Sequence, residues 1–296
     1  MCAAVLFLTL PCSAQQLEPR RWSHLPTGMN FAGAAYAYTT GDIAFNPVLR
    51  IQDATFDLHT IGAKYIRTFE LFGKSARFDL VQAYQSGEWD GLHDGAPTKV
   101  TRHGLSDTSL RFAINLLGAP PLKAKEFAAY RAETDCETIL GVGLVVHLPT
   151  GDYQKDKLIN LGSNRFTFRP QIGVVHSRGK WSTELTAAAW IFTDNDSFFN
   201  GNRLEQDPLY TVQGHLVYTF RPGLWLGAGV GYGFGGESSI NGASTYDRRG
   251  NLVWGVSLGI PINRQWGLKV AYIGSRSNKW TGADSDTVTV GCSVLW

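Results

Sequence analysis

No stretch of about 18 uncharged apolar residues, the length a membrane helix needs, occurs anywhere in the 296-residue chain. A helical membrane protein is therefore excluded; a membrane β-barrel is not. A dominant charge is missing too, since 27 Lys and Arg face 25 Asp and Glu. They are spread throughout, without the concentrated basic face that phosphate neutralisation requires. Nucleic acid is not expected as a partner. Cysteine is scarce, and Cys2, Cys12, Cys136 and Cys292 lack any CxxC or Cys/His spacing that would hold a metal. No metal site and no cofactor are expected. Proline is limited to 12 residues against 33 glycines, with 18% charged and 12% aromatic, which excludes disordered, collagen-like and coiled-coil chains.

The chain opens with the almost wholly apolar run Met1 to Leu10, followed by Pro11 and Cys12-Ser13-Ala14, small residues at the positions a signal peptidase reads. Residues 1–14 are expected to be a secretory signal, residues 15–28 a periplasmic N-terminal segment and residues 29–296 one membrane domain. Cys2 and Cys12 would leave with the leader, and Cys136 and Cys292 read as small apolar fillers.

From residue 28 onward the dominant period is two. Val288, Val290, Cys292, Val294 and Trp296 fall on one face, Thr287, Thr289, Gly291 and Ser293 on the other, as half-apolar strands require. Leu140, Val142, Leu144, Val146 and Leu148 repeat the pattern against Gly141, Gly143 and His147. Such runs number twelve, at about 29–40, 55–69, 76–86, 107–117, 138–149, 165–177, 181–193, 208–220, 223–235, 250–262, 266–275 and 286–296. Their connections alternate. Tight ones (70–74, 177–180, 221–223, 263–265) interleave with long polar ones (41–54, 87–106, 150–164, 194–207, 236–249, 276–285). Outer-membrane barrels combine short periplasmic turns with long outside loops, and a soluble sandwich has no reason to collect its long loops at one end. The exception is 118–136, long but on the short side, where Lys123 to Ala132 is expected to form a short amphipathic helix.

The expected fold is therefore all-β, a closed antiparallel transmembrane β-barrel of about twelve strands in the outer membrane. Its apolar face must look outward, because a charge on the lipid side costs about 2–4 kcal/mol at mid-depth, and the opposite face carries many charges. The aromatics then fall into two belts: Trp181, Trp266, Trp296, Tyr218 and Phe220 at periplasmic ends, and Tyr84, Phe166, Phe168, Tyr210, Tyr232 and Phe234 at outer ends. Outer-membrane lipids and the barrel assembly machinery, which would read the strand ending in Trp296, are the expected partners.

Several segments also resemble a known family. Ser23-His24-Leu25-Pro26-Thr27-Gly28-Met29-Asn30-Phe31, Leu71-Phe72-Gly73-Lys74-Ser75-Ala76, Leu116-Leu117-Gly118-Ala119-Pro120, Asn160-Leu161-Gly162-Ser163-Asn164-Arg165 and Gln206-Asp207-Pro208-Leu209-Tyr210 are similar to the transporter family labelled "putative meta-pathway of phenol degradation". The resemblance covers nearly all of the expected mature chain. It implies an outer-membrane barrel that moves aromatic or other poorly soluble compounds, and it supplies no catalytic residues.

The working surface is expected to be the lumen, lined by Lys64, Asp79, Arg111, Asn115, His147, Arg169, Gln171, Glu184, Trp190, Gln213, His215, Trp225 and Lys269. Their charges are mixed, so strong ion selection is not expected. Gly227, Gly229, Gly231, Gly233 and Gly235 leave a bare inward lane, read as strand curvature, as a solute passage, or as the seat of a packed element such as residues 15–26. His103, Ser106 and Asp107 are the nearest approach to a catalytic set, but they share one turn and nothing orients them. An enzyme is not expected. The expected function is a passive, porin-like route for small hydrophobic or aromatic compounds; the alternatives are a non-conducting structural or adhesin barrel and an outer-membrane lipid-modifying enzyme.

Overall fold

The computed structural model describes residues 17–45 and 51–296; the expected signal sequence lies outside them. The elements in chain order are β1 (Asn30–Ala44), β2 (Ile51–Leu71), β3 (Lys74–His93), β4 (Ala96–Leu105), β5 (Thr108–Leu117), α1 (Ala124–Glu133), β6 (Cys136–Leu148), β7 (Thr167–Arg178), β8 (Trp181–Phe192), β9 (Asn195–Phe198), β10 (Asn202–Gln206), β11 (Leu209–Arg221), β12 (Leu224–Gly235), β13 (Ser238–Ile240), β14 (Ala243–Ser244), β15 (Arg249–Pro261), β16 (Trp266–Ser277) and β17 (Gly282–Leu295). Setting aside β4, β9, β10, β13 and β14, the other twelve strands pair neighbour to neighbour. The ring closes where β1 meets β17, in register from Phe31 opposite Leu295 to Ala44 opposite Gly282. Closure leaves no sheet edge, which is the condition for strands to cross a bilayer with every backbone donor paired.

The orientation follows the period-two pattern. Leu144, Ile172, Val174, Leu185, Leu216 and Val256 are exposed on the outer wall, while Asp79, Arg169, Glu184 and Lys269 are buried on the inner one. Trp181, Trp266, Trp296 and Phe220 are exposed near the periplasmic strand ends, and Tyr84, Phe166, Tyr210 and Phe234 near the outer ones. A chain with this exposed apolar wall sits in the outer membrane. Ile172 is 49% exposed and falls mid-strand. Ile172→Arg is therefore expected to destabilise the folded barrel by about 2–4 kcal/mol, read as a lowered urea midpoint in lipid vesicles; an unchanged midpoint would contradict the assigned orientation.

The strands missing from the sequence reading stand above the membrane. Residues 87–106, expected as a loop, carry the outer half of β3 and all of β4, joined by Asp94-Gly95 with φ of +51° and +77°. Asn241-Gly242 joins β13 to β14 with φ of +50° and +79°, and Asn200-Gly201 lies in the turn between β9 and β10. β14, β13, β10 and β9 form a separate four-stranded sheet. These hairpins have no lipid face, so they show no clean alternation. Their signal was instead the Asp-Gly and Asn-Gly pairs, which accept left-handed φ and set tight hairpin turns. α1 matches the expected helix to within a residue, with the Lys123 backbone N–H donating to Glu126 Oε2 (3.1 Å) as a cap. Cys136 opens β6 and is exposed rather than packed; Cys292 is half-buried, and neither forms a disulfide.

Candidate functional site: a filled lumen beneath an apolar vestibule

The inner wall carries every lumen residue expected from the sequence, each buried except the half-buried Asn115. They do not line an open water column. Residues Leu17–Trp22 thread into the barrel, with Leu17, Arg21 and Trp22 almost wholly buried, and much of the polar wall serves them. Glu184 Oε2 accepts the Arg20 backbone N–H at 2.7 Å, Gln213 Oε1 that of Glu18 at 3.4 Å, and Thr186 Oγ1 the Trp22 indole N–H at 2.9 Å. Gln171 Oε1 accepts from Arg21 Nη1, and Arg21 pairs with Glu18 within the segment.

Two glycines make room for the Trp22 ring. A Cβ on Gly173 would sit 1.9 Å from Trp22 Nε1, and one on Gly141 would sit 2.3 Å from Trp22 Cε3. No side chain is possible there while the indole is docked. The Arg111 guanidinium lies over the same ring system, 5.1 Å from its centroid. Below the segment, His24 anchors the chain at the periplasmic rim. It bonds the Pro120 carbonyl (2.8 Å), faces Glu137 Oε1 (3.1 Å) and meets the Phe127 ring of α1 edge-on at 4.8 Å. The helix therefore gives the N-terminal segment a footing.

Asp79 is the electrostatic centre of the wall. Its carboxylate takes a two-pronged bond from Arg77 (2.9 and 2.5 Å), with Lys64 Nζ at 3.4 Å and Arg111 Nη1 at 3.7 Å. Such a buried charge is tolerable only with partners of this closeness. Arg77 was missed in the sequence, although its place two residues before Asp79 puts it on the same face. With Arg20 and Arg21 added by the segment, cations outnumber carboxylates in the lumen among the described residues. The mixed, unselective lining expected from the wall alone is thus corrected to a net positive one.

The bare glycine lane of β12 is occupied. Leu17 Cδ2 lies 3.4 Å from where a Gly231 Cβ would stand, the His215 ring covers Gly229 at 2.3 Å, and Trp225 and Val217 reach Gly227 at 3.3 Å. Trp190 is stacked on His147 at 5.6 Å and carries the Arg169 guanidinium at 4.3 Å, and Trp225 has Arg20 at 5.4 Å. Both tryptophans therefore have a face already taken. Around the segment, the two cavities it lines hold only about 20 Å³ each.

Larger space lies at the outer end. Trp89 and Leu92 of β3, Ile51 and Ala54 of β2, and Leu158 and Ile159 of the loop 149–166 line a partly open cavity of about 200 Å³. Its roof is held rigidly. Asp107 accepts the backbone N–H groups of Gly151 (3.0 Å) and Ser163 (2.9 Å), Arg102 Nε donates to the Ile159 carbonyl (3.0 Å), and Asn195 Nδ2 donates to the Tyr153 hydroxyl (2.9 Å). Asp107 is thereby spoken for as a loop clasp. Ser106 Oγ donates to the Ala83 carbonyl at 3.3 Å, and His103 is exposed on β4, so the structure does not assemble these three into a catalytic set. Asp194 and Asp196 both pair with Arg203, the latter at 3.5 Å.

Residues 31–283 match the family described as "Putative MetA-pathway of phenol degradation". The chain belongs to that family. Among solved structures, an outer-membrane channel from Pseudomonas putida F1 aligns with a TM-score of 0.76 at 21% identity, over 95% of this chain and all of that one. The transport unit of the autotransporter AIDA-I from Escherichia coli aligns at 0.50 with 7% identity, over 90% of each chain. No curated protein matches the sequence significantly. At these identities the likeness is one of fold. It is the fold of outer-membrane channels.

Proposed function

We propose that this barrel is a passive outer-membrane route for small hydrophobic or aromatic compounds and that it catalyses no reaction. The observation that carries the reading is the outer cavity: its walls are dominated by Trp89, Leu92, Ile51, Leu158 and Ile159, and its volume is about 200 Å³. Apolar cavities of about 150 Å³ already take up benzene from water, because transferring apolar surface out of water is favourable by about 25 cal/mol per Å². A dilute aromatic solute would gather there before crossing. Membership of a family tied by its description to phenol degradation, and the channel nature of the Pseudomonas putida protein, support the same reading.

Uptake of labelled toluene or phenol by cells with and without the gene tests it. Loss of the gene is expected to slow uptake, and Trp89→Ala combined with Leu158→Asp to slow it to a similar degree. His103→Ala with Ser106→Ala is expected to change neither uptake nor outer-membrane lipid composition. Equal uptake with and without the gene, together with silence of the purified protein in planar bilayers under all solutes, would favour a structural or adhesin barrel instead.

A further inference from the structure

Arg169 of β7 is 4% exposed, yet among the described residues no carboxylate pairs with it. Its guanidinium rests on Trp190 and lines a lumen cavity of about 20 Å³ together with Arg21 and Leu17 of the N-terminal segment, Trp190 and Gln213. Three buried N–H donors of these residues, Arg169 Nε, Arg21 Nε and Trp190 Nε1, have no acceptor among the described residues. No described Asp or Glu lines the cavity; Glu18 pairs with Arg21 through Nη2 and acts on Arg169 at longer range. Two like charges, one on the wall and one on the segment, thus border a partly open space with room for about one water-sized particle between them.

An arrangement of that kind is unfavourable as it stands. Buried donors without acceptors lose their hydration with nothing in return, and a single carboxylate, Glu18 on Arg21, serves two guanidinium groups, so one positive charge is left over in a place where like charges repel more strongly than in water. A neutral water accepts hydrogen bonds but leaves the repulsion in place. A monovalent anion removes both costs. We propose that this cavity binds a small monovalent anion, a halide or the carboxylate end of a small acid, which bridges Arg169 of the barrel wall to Arg21 of the N-terminal segment. The bound anion then serves as a latch that ties the segment into the lumen. This site lies apart from the outer apolar cavity, and the inference does not depend on what the barrel transports.

Crystals of the full-length mature protein grown in sodium bromide test the site directly, since bromine is located by its anomalous scattering. An anomalous peak in contact with both guanidinium groups is expected, and Arg169→Gln is expected to reduce its height by more than half. Arg169→Lys, which keeps one cationic donor, serves as the second variant should the first fail to fold, and is expected to give a weakened peak. A parallel soak in 4-bromobenzoate separates the two sources. A bromine peak one ring-length from the guanidinium groups assigns the site to carboxylates, and its absence beside a bromide peak assigns it to halides. Absence of a peak with both reagents in the wild-type protein, or an undiminished peak in the variant, overturns the proposal. None of these outcomes bears on toluene uptake, so either reading can fail without the other.

Discussion

A chain that begins at Ser23, refolded into detergent and inserted into a planar bilayer, is expected to conduct several-fold more current than the chain that retains Leu17–Trp22. The barrel itself closes through β1 and β17, and His24 and Leu25, which seat the chain at the periplasmic rim, are kept. What is lost is the material that fills the lumen. The wall that remains carries Lys64, Arg77, Arg111, Arg169 and Lys269 against Asp79 and Glu184, so the opened lumen is expected to favour anions, seen as a shifted reversal potential under a salt gradient. Gly173→Ala makes the same point without a deletion. The added methyl would stand 1.9 Å from Trp22 Nε1, forcing the indole out of a buried position that is worth about 3–5 kcal/mol by comparison with large-to-small replacements of buried tryptophan. The variant is expected to conduct like the truncated chain. Unchanged conductance in both would mean that the segment does not obstruct the current path.

Asp79→Asn is expected to destabilise the barrel by about 3–5 kcal/mol, read as a lower urea midpoint with an unchanged slope. The carboxylate is the common partner of Arg77, Lys64 and Arg111, and its side chain is only 2% exposed. An amide would take away the carboxylate that all three cations share and leave them facing one another, with only the more distant Glu18 to offset them. Asp156→Asn is the control. That carboxylate is 61% exposed beside Lys157, and an exposed pair contributes about 0–1 kcal/mol, so its midpoint should barely move. Replacing Asp79 and Arg77 together by apolar residues of similar volume is expected to recover part of the loss, because the cost lies in the unmatched charge rather than in the missing bond. Equal midpoints for Asp79→Asn and wild type would show that the lumen hydrates those cations freely.

How far each of these features was legible in the sequence depends on the solvent that each part meets. Strands that cross the bilayer face lipid on one side, and their alternation is strict enough that the twelve barrel strands and the inward direction of Asp79, Arg169 and Lys269 follow from periodicity alone. β4, β13 and β14 have no lipid on either face, and β14 is exposed throughout, so no bilayer enforces alternation. Only their turn chemistry betrays them: Asp94-Gly95 and Asn241-Gly242 mark hairpins that hydropathy does not.

The chain's own order of residues determined the barrel, its orientation and the identity of the charges on its inner wall, because each is set by whether one side chain faces hydrocarbon. Only the tertiary structure decided what those charges do. Glu184, Gln171, Gln213 and Thr186 look like pore lining until Leu17–Trp22 is placed against them. The partners are separated by 150 to 195 residues along the chain, and no local pattern records a contact at that distance. Nothing in the sequence marks the glycines at 141 and 173 as a seat for an indole, and they became one only once closure of the ring set their distance from Trp22.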